Sequence, residues 1–181
     1  MEHFKIILFL TICLISCGDD DPIDFEGPFT GVATVNKNDV QQIMNLEIVE
    51  NNGIPSRYDI VLRRDIDNDN SEGLVMRKIK ANFENQTVLL RTFNNAIDMP
   101  EASYLTTFQD DILNDVYDID TTATNNFIQI TSFNDLSNEI TGIFNLKFIL
   151  TEDASVGDPP PETLVFSNGT FTTQVNPAWF H

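Results

Sequence analysis

The densest set of side chains able to do chemistry in this sequence is Asp65-Ile66-Asp67-Asn68-Asp69-Asn70-Ser71-Glu72-Gly73. Oxygen donors on alternate residues suit Ca²⁺, because a tight loop can turn several of them onto one ion. The spacing departs from an EF-hand, since Asn70 stands at the glycine position and Met76 at that of the bidentate Glu. A calcium site would rest on Asp65, Asp67 and Asp69; the competing reading is a solvated turn between two strands. Asp115, Asp118 and Asp120 form a sparser set of the same kind. Two carboxylates could also act as acid and base in glycoside hydrolysis. With 28 Asp+Glu in the chain, however, some pair satisfies any spacing rule. No catalytic residue is therefore assigned, and a carboxylate-based hydrolase stands behind the non-enzymatic readings.

The other reactive group is a thiol near the N-terminus. Lys5 precedes the apolar run Ile6–Ile15, which ends in Leu14-Ile15-Ser16-Cys17. A bilayer-spanning helix needs about 20 apolar residues, so this run fits the core of a signal peptide instead. Leu14-Ile15-Ser16-Cys17 resembles a lipobox, in which the chain is cut before the Cys and the thiol is acylated. Each buried CH₂ of such a lipid contributes about 0.8 kcal/mol, and several chains give lasting attachment. After Cys17 come Gly18, Asp19, Asp20, Asp21 and Pro22, an acidic tether kept out of regular structure by Gly and Pro. Acidic residues there resemble the export signal of Bacteroidota lipoproteins, which sends them to the outer face of the outer membrane. The expected organisation is residues 1–16 as signal peptide, 17–28 as lipidated Cys and tether, and 29–181 as a single β domain.

Processing would strip the chain of much chemistry. The sequence has two Cys and two His. Cys13 and His3 would leave with the signal, Cys17 would become a thioether, and only His181 would remain. That excludes a disulfide, a Cys nucleophile, an interior Ser-His-Asp arrangement, and metal sites built on His or Cys. The expected cofactor list is empty apart from the lipid on Cys17, with Ca²⁺ as the one open question. The formal net charge of −18 repels phosphate at every approach, so nucleic acid is not an expected partner. Hydrophobic residues make up 41% and Phe occurs 14 times, which is too apolar for a disordered acidic chain, so the body must fold.

Period-two patterning dominates that body. Phe29–Val35 reads as a first strand. Met44, Leu46 and Ile48 alternate with Asn45, Glu47 and Val49, and Tyr58, Ile60 and Leu62 with Asp59, Val61 and Arg63, around Asn51-Asn52-Gly53, a hairpin signal. Leu74–Phe83 and Thr87–Phe93 read as another pair, and Phe127–Phe133 as a strand. In the strongest run, Ile140, Phe144, Leu146, Phe148 and Leu150 share one face. Thr163–Phe166 and Thr170–Val175 close the chain around a turn at Asn168-Gly169, while Pro159-Pro160-Pro161 belongs in an exposed loop. Phe108, Ile112 and Val116 sit four apart, which predicts one short helix over Thr107–Tyr117. The fold class is all-β: about 8–9 antiparallel strands with one short helix. They form a sandwich or a closed up-and-down barrel, and the balance tips slightly to the sandwich.

Ile140-Thr141-Gly142-Ile143-Phe144-Asn145-Leu146-Lys147-Phe148, with Leu164-Val165-Phe166-Ser167-Asn168-Gly169-Thr170-Phe171, is similar to the C-terminal hairpin of a family of small Bacteroidota lipoproteins. Leu146 stands where that pattern has a second Phe. The resemblance implies an all-β lipoprotein of the cell envelope and supplies no activity. Asp120-Thr121-Thr122 also resembles the acceptor pattern for O-glycosylation in Bacteroidota envelope proteins, with Thr121 as acceptor. The expected function is a non-catalytic, surface-exposed binding module for a ligand, glycan or protein, held to the outer membrane by its lipid. The alternative is a structural or accessory subunit of an outer-membrane assembly, partnered with another outer-membrane protein.

Overall fold

The computed structural model describes residues 31–51, 54, 56–90, 98–109, 112–154 and 159–176. The strands are Gly31–Lys37 (β1), Val40–Glu50 (β2), Arg57–Asp65 (β3), Asn70–Lys80 (β4), Gln86–Thr87 (β5), Leu89–Leu90 (β6), Glu101–Phe108 (β7), Ile112–Ile119 (β8), Phe127–Asn134 (β9), Glu139–Asp153 (β10) and Thr163–Gln174 (β11). Neighbours pair in the order β1-β2-β3-β4-β7-β8-β10-β11, and β11 also pairs with β1. The sheet is therefore a closed eight-stranded antiparallel barrel, not a sandwich. Closure leaves the principal strands without a free edge. β10 is long enough to serve two partners on one side, β9 along Glu139–Asn145 and β8 along Phe148–Asp153. β5 pairs with β9, and β6 runs parallel to β7.

Alternation places one side of each strand inside. Met44, Leu46 and Ile48 meet Ile60 and Leu62, then Leu74 and Met76, and all are fully buried. Tyr104, Tyr117, Phe148 and Phe166 fill the middle, with ring centroids 5.2–6.3 Å apart where Tyr104 touches the other three. An eight-stranded barrel is just wide enough for side chains to fill it, and these do. The expectation that Ile140, Phe144, Leu146 and Phe148 share a buried face holds.

Four sequence expectations are corrected. The slight preference for a sandwich falls to barrel closure. No helix occurs among the described residues: Thr107–Tyr117 falls in the β7–β8 hairpin. The four-residue spacing of Phe108, Ile112 and Val116 was outweighed by the period-two series Asp115, Tyr117, Ile119, whose members are buried. Leu74–Phe83 does not pair with the next strand; β4 pairs with β7, and the described part of the expected strand, Thr87–Leu90, falls in β5 and β6. Asn168-Gly169 is not a hairpin turn either. It is a bulge within β11, where Asn168 takes φ 53° and the registers against β1 and β10 both slip.

That bulge explains the Gly-x-Phe pattern. Gly142 lies opposite Phe171, and Gly169 lies opposite Phe144. A Cβ on Gly142 would stand 2.3 Å from Phe171 Cζ, and one on Gly169 would stand 2.5 Å from the Phe144 ring. Each glycine is the seat of the other strand's phenylalanine, so the pattern is reciprocal packing in the core.

The antiparallel register fixes two ends. The β1–β2, β3–β4, β7–β8 and β10–β11 connections lie at one, the turn end. Gly31, the β2–β3 connection and the last residues of β11 lie at the other, the Gly31 end.

Candidate functional site

At the turn end, three inward series change from apolar to charged. Ala33-Val35 continues to Lys37, Ile60-Leu62 to Arg64, and Met76-Leu74 runs back to Glu72. β1, β3 and β4 thereby deliver two cations and one carboxylate to a single layer of the lumen. The Glu72 side chain has no exposed surface. Its Oε1 accepts from Arg64 Nε at 2.7 Å, and its Oε2 accepts from Lys37 Nζ and from the Tyr104 hydroxyl. Lys37 Nζ also stands 4.7 Å from the centroid of the Tyr104 ring. Burial alone would raise the Glu72 pKa, but the Lys37 charge and hydrogen bond, the Tyr104 hydroxyl and the Arg64 charge outweigh it and lower it. Burial, and then the Glu72 carboxylate, push the Tyr104 phenol far above its ordinary value.

β8 adds Asp115 to the same end. Thr106 Oγ1 donates to Asp115 Oδ2 at 3.0 Å and accepts from the Asp115 amide at 3.1 Å. Asp115 Oδ1 is buried without a hydrogen-bond partner, as is Gln42 Oε1 on β2, four strands away around the ring. Burial, with the charges of Asp115 and Asp153, raises the Tyr117 pKa to about 12. The Tyr117 hydroxyl donates to the Pro161 carbonyl at 3.1 Å and ties the β10–β11 loop across the wall.

Chemically, this layer is a clamp. Glu72 is held ionised by three donors, so it has no proton to give. The described residues include no His or Cys. Tyr104 and Phe166 lie directly under the layer, so a partner approaching this end meets loops and a plugged mouth.

The residues singled out in the sequence fall elsewhere. Cys17, Asp19, Asp20 and Asp21 lie outside the described residues, as does His181. Asp65, Asp67 and Asp69 occupy the β3–β4 turn. Asp65 Oδ1 stands 3.7 Å from Arg63 Nε. Asp67 Oδ1 accepts from the amides of Asp69 and Asn70, both at 2.9 Å, and from Asn70 Nδ2. The Asp69 amide first, and then the Asn70 side chain, lower the Asp67 pKa. The Asp67 carboxylate builds the turn, and among the described residues no three His, Cys, Asp or Glu are grouped to hold a metal. Asp115, Asp118 and Asp120 are likewise separated: Asp115 faces inward, Asp118 outward, and Asp120 Oδ2 pairs with Lys147 Nζ at 2.9 Å.

Thr121 is exposed at the apex after β8. The neighbouring Asp120 carboxylate accepts from Thr122 Oγ1 at 2.6 Å and from the Thr122 amide at 2.9 Å. Those bonds and Lys147 hold its pKa at about 2. Sequence reading missed the Lys37–Arg64–Glu72 layer. The signal was present: each charge continues an inward alternation by one step. A scan against protein-family models and searches of curated proteins and of solved structures find no match to this chain.

Proposed function

We propose that this chain is a lipid-anchored lipoprotein of the outer membrane, displayed on the cell surface as a non-catalytic binding module. In this reading Cys17 carries the lipid, and Asp19, Asp20 and Asp21 direct export. The barrel meets a glycan or protein partner at its turn end. The observation that carries the reading is the register of β1: Gly31, which follows the tether in sequence, sits at the end opposite the turns. A lipid on Cys17 would thus hold the Gly31 end nearer the membrane and leave the turn end outermost. The filled lumen favours loop-borne recognition over an internal ligand.

The test separates anchoring from display. Cys17→Ala should leave the precursor uncut or unanchored. Replacing Asp19, Asp20 and Asp21 by Ala should keep the lipid but withdraw the protein from protease added to intact cells. Full protection of the wild-type protein would refute display, and anchoring that survives Cys17→Ala would refute the lipid.

A further inference from the structure

Across β3, β4, β7 and β8, Arg64, Glu72, Thr106 and Asp115 form one inward row, each paired with the next. Two residues further along a strand, side chains return to the same side of the sheet. That step leads to Ile66, Asn70 and Phe108, and a register slip between β7 and β8 makes the fourth member Ile112. The Ile66 amide donates to the Asn70 carbonyl, Asn70 pairs with Phe108, and Phe108 pairs with Ile112, so this second row is continuous. It stands above the plugged mouth as a lip. Ile66 is 49% exposed, Phe108 38% and Ile112 54%, although they continue the side that is buried lower down.

The surroundings of the lip are acidic. Asp67 and Asp69 are exposed in the turn that carries Ile66, and Asp153 is exposed opposite Asp115. Of the cations at this end, Lys37 and Arg64 both bind Glu72, and Arg63 lies beside Asp65. Asp115 Oδ1 is buried without a hydrogen-bond partner. A charge out of water is screened little, so this carboxylate acts on whatever sits against the lip.

We infer that the lip seats a basic, apolar segment of a partner protein. Apolar side chains of that segment cover Ile66, Phe108 and Ile112, whose surface thereby leaves water. Lys or Arg side chains between them lay their stems on the row and hold their charged ends among Asp67, Asp69, Asp115 and Asp153. A second copy of this chain would bring its own acids against these, and an anionic lipid surface would bring phosphates, so charge opposes both. A neutral glycan offers the acids no cation. The inference rests on the proposed function only in taking the turn end as outermost, and it adds the chemistry of the partner.

Titration of the full-length chain in neutral detergent with short synthetic peptides tests it, with protein-free micelles as the reference. A peptide alternating leucine and lysine should bind at least about tenfold tighter than a serine–lysine peptide of equal charge, equivalent to about 1.4 kcal/mol. Its affinity should fall with salt, and a leucine–glutamate peptide should not bind. Phe108→Ser with Ile112→Ser should abolish the preference for leucine. Leu136→Ser, at an exposed residue of the β9–β10 turn at the Gly31 end, should keep it. Should the double variant not fold, Ile66→Ser decides by the same loss. Equal affinity for the two lysine peptides, a preference that survives in a folded lip variant, or a leucine–glutamate peptide bound as tightly would overturn the inference. So would self-association of the chain that is lost in the lip variant, since a second copy would then be the occupant. Binding in solution by a protein that is not shaved from intact cells would refute display alone, and display without binding would refute the inference alone.

Discussion

Glu72 and Glu101 are both buried carboxylates beside a cation, and the two ends of the barrel treat them differently. At the turn end, Glu72 has both oxygens engaged by Lys37, Tyr104 and Arg64. Toward the Gly31 end, Glu101 Oε1 faces Lys78 Nζ at 3.3 Å, and that ammonium has no hydrogen bond. Lys78 sits in a left-handed backbone conformation beside a register slip in β4. Ile79 takes the inward place there. Taking two charges out of water costs several kcal/mol per ion, and close, multiple hydrogen bonds are what offset it. The turn end meets that condition, and at the other end the Lys78 ammonium does not. The difference teaches that the turn-end layer is a built feature which fixes β1, β3, β4 and β7 to one another, whereas the other pair is a local accommodation.

The largest effect should come from breaking the first arrangement. Glu72→Gln leaves Lys37 and Arg64 facing each other without a counter-charge, at an expected cost of about 3–5 kcal/mol in urea unfolding. This cost should depend on pH with a definite sign. The folded-state pKa of Glu72 is lowered, so its stabilising contribution is complete above the unfolded value of about 4.3 and disappears as pH falls through the folded value. The gap between wild type and Glu72→Gln should therefore be constant near neutrality and narrow in acid. A gap independent of pH would show that Glu72 acts by shape alone.

A smaller effect is expected at the other end. Lys78→Met should cost about 1–2 kcal/mol, because one buried group loses its partner. Adding Glu101→Leu should recover most of that, since an imperfect buried pair is replaced by apolar groups at little net cost. A double variant as unstable as Glu72→Gln would erase the contrast between the ends.

The smallest effect concerns the exposed acids of the β3–β4 turn. Ca²⁺ and Mg²⁺ at equal ionic strength should raise the melting temperature equally. They should do so for wild type and for Asp67→Asn with Asp69→Asn, since both ions screen an acidic surface. A response specific to Ca²⁺ and lost in the double variant would establish a site that the turn geometry does not gather.

Strand identity was legible in the sequence wherever burial alternated strictly, as in Ile140–Leu150. The β7–β8 hairpin was not, because Phe108, Ile112 and Val116 satisfy a helical spacing locally and only pairing with β4 and β10 decides against it. Barrel closure was equally hidden, since it rests on β1 meeting β11 across most of the chain's length. Gly169 advertised itself as part of a turn, but the purpose it shares with Gly142 depends on strands that lie side by side. The clamp was half legible: Lys37, Arg64 and Glu72 each end an inward series, but charge content made Glu72 look like part of the acidic turn that precedes it.

The central claim is a surface lipoprotein that shows its turn end outward, and single-cysteine labelling of intact cells tests it most directly. Asp67→Cys places a thiol on the β3–β4 turn, and Glu50→Cys places one on the exposed last residue of β2, at the Gly31 end. A bulky, membrane-impermeant maleimide should label Asp67→Cys rapidly on intact cells and Glu50→Cys more slowly. Labelling of Asp67→Cys only after the outer membrane is permeabilised would contradict the account.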